Sequence, residues 1–276
     1  MTLEQKLKYM HNATEEDLNK AIESKYQKLE AIEVSPKHKY IRPSIYPLVF
    51  RNYLNSSKNE IQISGGIYDC GIYSYCVDNT CDIFKEFAQN VQKNKLDSIN
   101  DVLKAVSQTI FEYVGGLEVQ GNLSDRLSHL QNDEVGRLSS FKGSKNAWCM
   151  ERAVMAHQIF SMLGMESELV ISPIWLDEKK RKDGSMRTEQ HAFNLIRHNG
   201  KTYLFDATLI DFSKSFEEQT SIVEVLPSET FDSLQNIPKR TLKGKDGRER
   251  SCVYNPQNIQ PYITGESAND TMNESE

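Results

Sequence analysis

The dipeptide Asn199-Gly200, set between the strand-like segments 189–198 and 201–208, constrains this chain more than any other feature. Asn-Gly accepts positive φ at both positions, as a two-residue type I′ hairpin turn requires, and its twist matches that of the flanking strands. A two-residue loop also sets the register. His198 faces Lys201, Phe193 faces Asp206, and His191 faces Thr208. Opposed residues share a sheet face and side chains alternate along a strand, so His191, Phe193 and Leu195 lie on one face with Thr208, Asp206 and Leu204. His191 and Asp206 then become diagonal neighbours within hydrogen-bonding reach, and a slip of one residue would separate them. Leu195 and Leu204 on that face need cover, which the helix just upstream is expected to supply.

That helix is read over 147–163. Val154, Ile159, Phe160 and Leu163 are apolar, Ala153 and Ala156 are small, and Gly164 suits a left-handed cap. Asn146 is expected as the N-cap, which would make Cys149 the third helical residue. The unpaired N–H groups and dipole of a helix start stabilise negative charge, which suits a thiolate. Taken singly, Cys149 reads as a small buried hydrophobe, His191 as a satisfied core histidine, and Asp206 as a turn or cap residue ahead of Ala207-Thr208. Taken together they supply what a thiol nucleophile needs: a stabilised anion, a base, and a carboxylate that orients the base. A carboxylate within an apolar strand is costly unless paired, and His191 gives it a partner. The Cys149 N–H is the first candidate for stabilising an oxyanion. Trp148, Asn146 and Gln108 are candidates for the second donor, and Trp148, Asn146 and Phe193 are the residues expected near substrate.

The segment Trp148-Cys149-Met150-Glu151-Arg152-Ala153 resembles the nucleophile motif of transglutaminase-like proteins. His191-Ala192-Phe193-Asn194 resembles their "HAW-N" strand, and Lys201-Thr202-Tyr203-Leu204-Phe205-Asp206-Ala207-Thr208 their "gkWyxvDaT" strand. Gly164-Met165-Glu166-Ser167-Glu168-Leu169-Val170 resembles their "lGixaxxV" strand. The resemblance covers residues 96–212. It implies a papain-like fold with Cys149 as nucleophile, His191 as base and Asp206 as orienter. It also implies cysteine-dependent acyl transfer at an amide of a peptide or glutamine side chain, with no cofactor and no metal. Hydrolysis or deamidation is favoured over crosslinking, because no amine-donor site is legible. The sequence departs from the pattern at Ala147, where glycine is usual, and at Phe193, where tryptophan is usual. No paired CxxC motifs appear, which points away from the zinc-bearing peptide:N-glycanase branch. The alternatives are a non-catalytic binding module, or an effector exported without a signal to modify a foreign protein.

The fold class expected is α+β: a helix carrying Cys149 packed on an antiparallel sheet carrying His191 and Asp206, preceded by a mostly helical region. The expected divisions are 1–95, the helical region; 96–215, the catalytic core; 216–264, an extension packing on it; and 265–276, an acidic disordered tail. Thr14 and Asp17 form a capping box ahead of apolar residues from Leu18 to Ile32, and Ser35-Pro36 ends that helix. Further helices are read at Ile83, Phe84, Phe87 and Val91, and at Leu103, Val106, Ile110 and Val114, closed by Gly115-Gly116. A strand is read over 165–172, and the stretch 60–75 is left open between hairpin and loop. Trp175-Leu176 and the charged loop 177–188 are a candidate lid.

A net charge of −6 and a pI near 5.6 argue against a nucleic-acid partner, and the basic runs 179–182 and 239–250 read as solvated loops. No apolar run is long enough for a membrane span. The start, Met1-Thr2-Leu3-Glu4-Gln5-Lys6, has no signal-peptide pattern, and the five cysteines are an odd count. A cytoplasmic protein acting on a protein or peptide substrate is therefore expected. Cys70, Cys76 and Cys81 lack the spacing of a zinc site.

Overall fold

Period-2 and period-3.6 patterns fall in separate parts of the chain, and the computed structural model gives the α+β arrangement they imply. It describes residues 2–26, 48–50, 67–69, 74–76, 83–116, 136–176, 187–208, 222–225, 239–243 and 246–254. In chain order the elements are α1 (Leu3–Asn12), α2 (Glu15–Tyr26), β1 (Leu48–Phe50), β2 (Ile67–Asp69), β3 (Ser74–Cys76), α3 (Ile83–Lys93), α4 (Ile99–Tyr113) and β4 (Gly136–Arg137). A short 3-10 turn (Leu138–Phe141) leads to α5 (Cys149–Leu163), β5 (Glu166–Leu176), β6 (Arg187–His198), β7 (Lys201–Phe205), β8 (Ile222–Val225), β9 (Lys239–Lys243) and β10 (Glu249–Tyr254).

Local chemistry starts and stops the helices. Thr14 and Asp17 form the expected box: the Asp17 N–H donates to Thr14 Oγ1 at 3.2 Å and the Thr14 N–H to Asp17 Oδ2 at 3.0 Å. Thr2 and Gln5 do the same for α1, a helix not read from the polar start of the chain. Ser98 and Asp101 open α4 in the same way. Gly164, at φ +68°, closes α5, with Met165 N–H returning to Phe160 O at 2.9 Å. This 6→1 bond satisfies one of the carbonyls left over at the helix end.

The main sheet has seven strands in the order β8-β7-β6-β5-β10-β9, with β1 also on β5, and every pairing in it is antiparallel. The eleven-residue β5 pairs with β6 along its whole length. Its other edge is divided between β1, at Leu169 to Ile171, and β10, at Ile174 to Leu176. Three strands from the segment expected as an extension, β8, β9 and β10, are thus part of this sheet. Asn199 and Gly200 have φ of +50° and +75°, and the β6–β7 ladder has His198 opposite Lys201, the register expected from a two-residue turn. In the second sheet β2 pairs antiparallel with β3, which resolves the open reading of 60–75 in favour of a hairpin-like pairing, and β3 pairs parallel with β4.

One hydrophobic cluster runs through α1 to α5 and onto the sheet, joining Phe87, Val106, Ile110, Val154, Phe160 and Ile196. Each is fully removed from water, contributing about 1.5–3 kcal/mol per side chain. The sheet face turned to α5 corrects the expectation. Ala192, Ile196, Tyr203 and Phe205 belong to the cluster with α5, and Phe160 meets Phe205 edge to face at 5.1 Å. Leu195 and Leu204 are buried on the opposite face and do not pack under the helix. Small Ala192 and polar Asn194, not the leucines, let the helix backbone approach β6.

The helix reading beyond Tyr26, the loop 177–186 and the tail 265–276 lie outside the described residues. No helix among the described residues is long and apolar enough to cross a membrane.

Candidate active site

The chain entering α5 is held by the end of α4. Gly143 N–H donates to Tyr113 O at 2.7 Å and Lys145 N–H to Val114 O at 2.8 Å. The approach is close: a Cβ at Gly115 would lie 3.1 Å from Gly143 O, and Gly115 itself has φ +97°. Lys145 at φ +59° and Gly143 at φ +67° turn the chain back. Asn146 is absorbed in this turn, its N–H bound to Ser144 Oγ at 3.2 Å. The N-cap is therefore Trp148, not Asn146, and Cys149 is the first helical residue rather than the third. Glu151 Oε2 accepts the Trp148 N–H at 2.8 Å. This is half of a capping box, since an indole has no acceptor to return the bond. The Cys149 and Met150 N–H groups have no acceptor within the helix and present partial positive charge beside the thiol.

The β6–β7 ladder ends at Asn194 opposite Phe205, and His191 and Asp206 lie beyond it. The start of α5 meets them in that opening. His191 Nε2 and Asp206 Oδ2 are 2.6 Å apart. Cys149, at the start of α5, acts electrostatically on the His191 ring. Because Asp206 occupies Nε2, Nδ1 is the nitrogen left for sulfur. A Ser-His-Asp triad uses the two nitrogens the other way round. Asp206 is fully buried, and both its oxygens are engaged. Oδ1 accepts the Thr208 N–H at 2.9 Å, and Oδ2 accepts the Tyr254 hydroxyl at 2.6 Å as well as the imidazole.

Burial pulls the His191 pKa down, but the Asp206 charge, the hydrogen bond to it and the smaller influence of Cys149 outweigh burial and raise it to about 10. That shift favours the charged imidazole. Phe193 stacks on the ring at 6.4 Å and meets Tyr254 edge to face at 5.1 Å. With 1% of its surface exposed, Phe193 supports the imidazole from below and does not face substrate as expected. Trp148 is half-buried beside the thiol. Gln108 is not a second oxyanion donor: its amide binds Glu112 along the exposed side of α4.

Three polar residues at the site were not read as functional from the sequence. Arg152 is fully buried one turn after Cys149, with its guanidinium 4.8 Å from the Phe111 ring. Its Nε donates to Ala147 O at 3.0 Å and its Nη1 to Ala207 O at 3.5 Å, tying the entry of α5 to the residue after Asp206. Burial lowers its pKa to about 10 against the raising influence of Glu151, Asp206 and Cys149, so the guanidinium stays cationic. Asn194 Nδ2 donates to Ala153 O at 3.0 Å, fixing β6 to the helix backbone. Tyr254 arrives from β10, 48 positions along the chain from Asp206. Asn194 and Arg152 each had a signal in the motif that contains them; Tyr254 had none, since only its burial and its bond to Asp206 mark it. No cluster of His, Cys, Asp and Glu suited to a metal is found among the described residues, and Cys70 and Cys81 lie outside them.

No protein-family model matches the chain, and none of the curated proteins matches it.

Proposed function

We propose that the protein is a cysteine-dependent acyl-transfer enzyme of the transglutaminase-like, papain-like kind, acting at an amide of a peptide or glutamine side chain. The observation that carries this reading is the buried His191–Asp206 pair, 2.6 Å from Nε2 to Oδ2, with Cys149 opening the neighbouring helix and acting on the imidazole. The element order supports it too: a helix bearing the thiol, followed by an antiparallel pair bearing the base and then the carboxylate.

The Cys149 thiolate attacks the amide carbon, and the carbonyl electrons move to oxygen. The oxyanion is met by the free Cys149 N–H at the start of α5. His191 gives its Nδ1 proton to the departing nitrogen as the C–N bond breaks, leaving a thioester. The now neutral imidazole takes a proton from water, whose oxygen attacks the thioester. The tetrahedral adduct collapses to the acid and the Cys149 thiolate, paired again with the imidazolium. Asp206 holds the ring and stabilises its charge throughout. We favour water over an amine as acceptor, so the net reaction is hydrolysis or deamidation.

The test is ammonia release from glutamine peptides, and peptide-bond cleavage in a peptide library, by wild type and Cys149→Ala. Thioester trapping on Cys149 by hydroxylamine, seen as a hydroxamate product, would support the reading. If Cys149 is alkylated by iodoacetamide at pH 6 no faster than a free thiol, and that rate is the same in His191→Ala, the enzyme reading fails and a binding module is left.

A further inference from the structure

Asp206 Oδ2 accepts two hydrogen bonds, and the second comes from a strand outside the motif that carries the triad. We propose that Tyr254 is a positioning residue of the thiol site, its hydroxyl holding Asp206 and limiting how tightly that carboxylate grips the His191 proton. This rests on the proposed thiol chemistry. The Tyr254 hydroxyl lies 2.6 Å from Oδ2, as does His191 Nε2. Two donors on one oxygen weaken each other. Tyr254 therefore stabilises Asp206 most when His191 has given its proton away, and so favours release of that proton to the departing nitrogen. Tyr254 is fully buried, and its ring meets Phe193, which stacks on His191. One aromatic column thus supports the imidazole while its hydroxyl end holds the carboxylate. Other charged or titratable groups at the start of α5 face the pair: Cys149 acts on His191, and Arg152, itself beside Glu151, interacts with Asp206. Tyr254 reaches the site because β10 pairs with β5 at Ile174, so the antiparallel pair of β9 and β10 brings a further side chain to the triad.

Tyr254→Phe keeps the ring and removes the hydroxyl. The experiment follows iodoacetamide labelling of Cys149 by peptide mapping from pH 5 to 11, in the full chain. Wild type should show a rate step where the imidazolium loses its proton. In Tyr254→Phe that step should move upward by roughly half a pH unit to one unit, the scale of a hydrogen bond to a charged group, with near-UV circular dichroism unchanged. Placing 3-fluorotyrosine at 254, a stronger donor of the same shape, should move it the other way, and it tests the idea even if Tyr254→Phe folds poorly. A step that stays put in both variants, or moves in the same direction in both, overturns the role of Tyr254. Absence of any imidazolium step in wild type instead overturns the thiol-site reading beneath it.

Discussion

Asp206→Asn tests the site at its most constrained atom. Oδ1 is fixed as an acceptor by the Thr208 N–H, so the new amide oxygen stays there and the NH2 takes the Oδ2 position. It then faces His191 Nε2 and the Tyr254 oxygen. Nε2 must accept, which moves the imidazole proton to Nδ1, opposite the sulfur. A neutral ring with a hydrogen already on Nδ1 cannot take the thiol proton. The charge effect adds to this. With the carboxylate gone, burial is the dominant influence on His191 and pulls it below its ordinary 6.5, from about 10. At pH 7.5 roughly a tenth or less of the rings would then be charged, against nearly all in wild type. An orienting Asp changed to Asn in a serine triad costs about 10⁴ in turnover through the wrong tautomer, and a loss of about 10³ to 10⁴ is expected here. The assay is Cys149 labelling between pH 5 and 11, with peptide turnover once a substrate is in hand. A variant that is folded by near-UV circular dichroism, yet labels Cys149 at the wild-type rate between pH 6 and 8, would refute the reasoning.

The raised His191 pKa also predicts how stability varies with pH. A proton held more tightly in the folded state stabilises fully below pH 6.5, and that stability is lost as pH rises through about 10; His191→Gln should flatten this decline in thermal melts over pH 6.5 to 10. Arg152→Met removes a buried cation that acts on Glu151 and Asp206, together with its bonds to Ala147 O and Ala207 O, and should lower stability by about 3–5 kcal/mol in urea titrations; a loss under 1 kcal/mol would mean the charge is not needed. Gly164→Ala forces a Cβ into φ +68° and against the Lys6 side chain, and should cost about 1–2 kcal/mol by thermal melting. Asn194→Leu removes the bond from β6 to Ala153 O, and should slow Cys149 labelling at pH 6 while costing about 1–3 kcal/mol in urea titrations.

The hairpin and its register were legible from Asn199-Gly200 because turn chemistry acts over two residues and fixes everything paired to it. The same holds for Gly164 ending α5 and for Thr14 with Asp17 opening α2. The cap of α5 was not legible. Asn146 is a good N-cap by type, but contacts from the end of α4 claim the loop that carries it, and those contacts are set by Gly115, Gly143 and Lys145. The face of β6 that meets the helix was misjudged for a related reason. Alternation places Leu195 and Leu204 together but does not say which layer covers them.

The amino-acid order by itself determined that an imidazole and a carboxylate share one side of a β-ribbon, and that a thiol lies in the first turn of the helix before it. Short-range sterics and backbone pairing suffice for both. Only the tertiary structure decided that the start of α5 acts on His191, that Arg152 is buried as a counter-charge, and that Tyr254 closes on Asp206. Those contacts join residues far apart in the chain, and they exist only once packing has excluded water and made an unpaired charge costly.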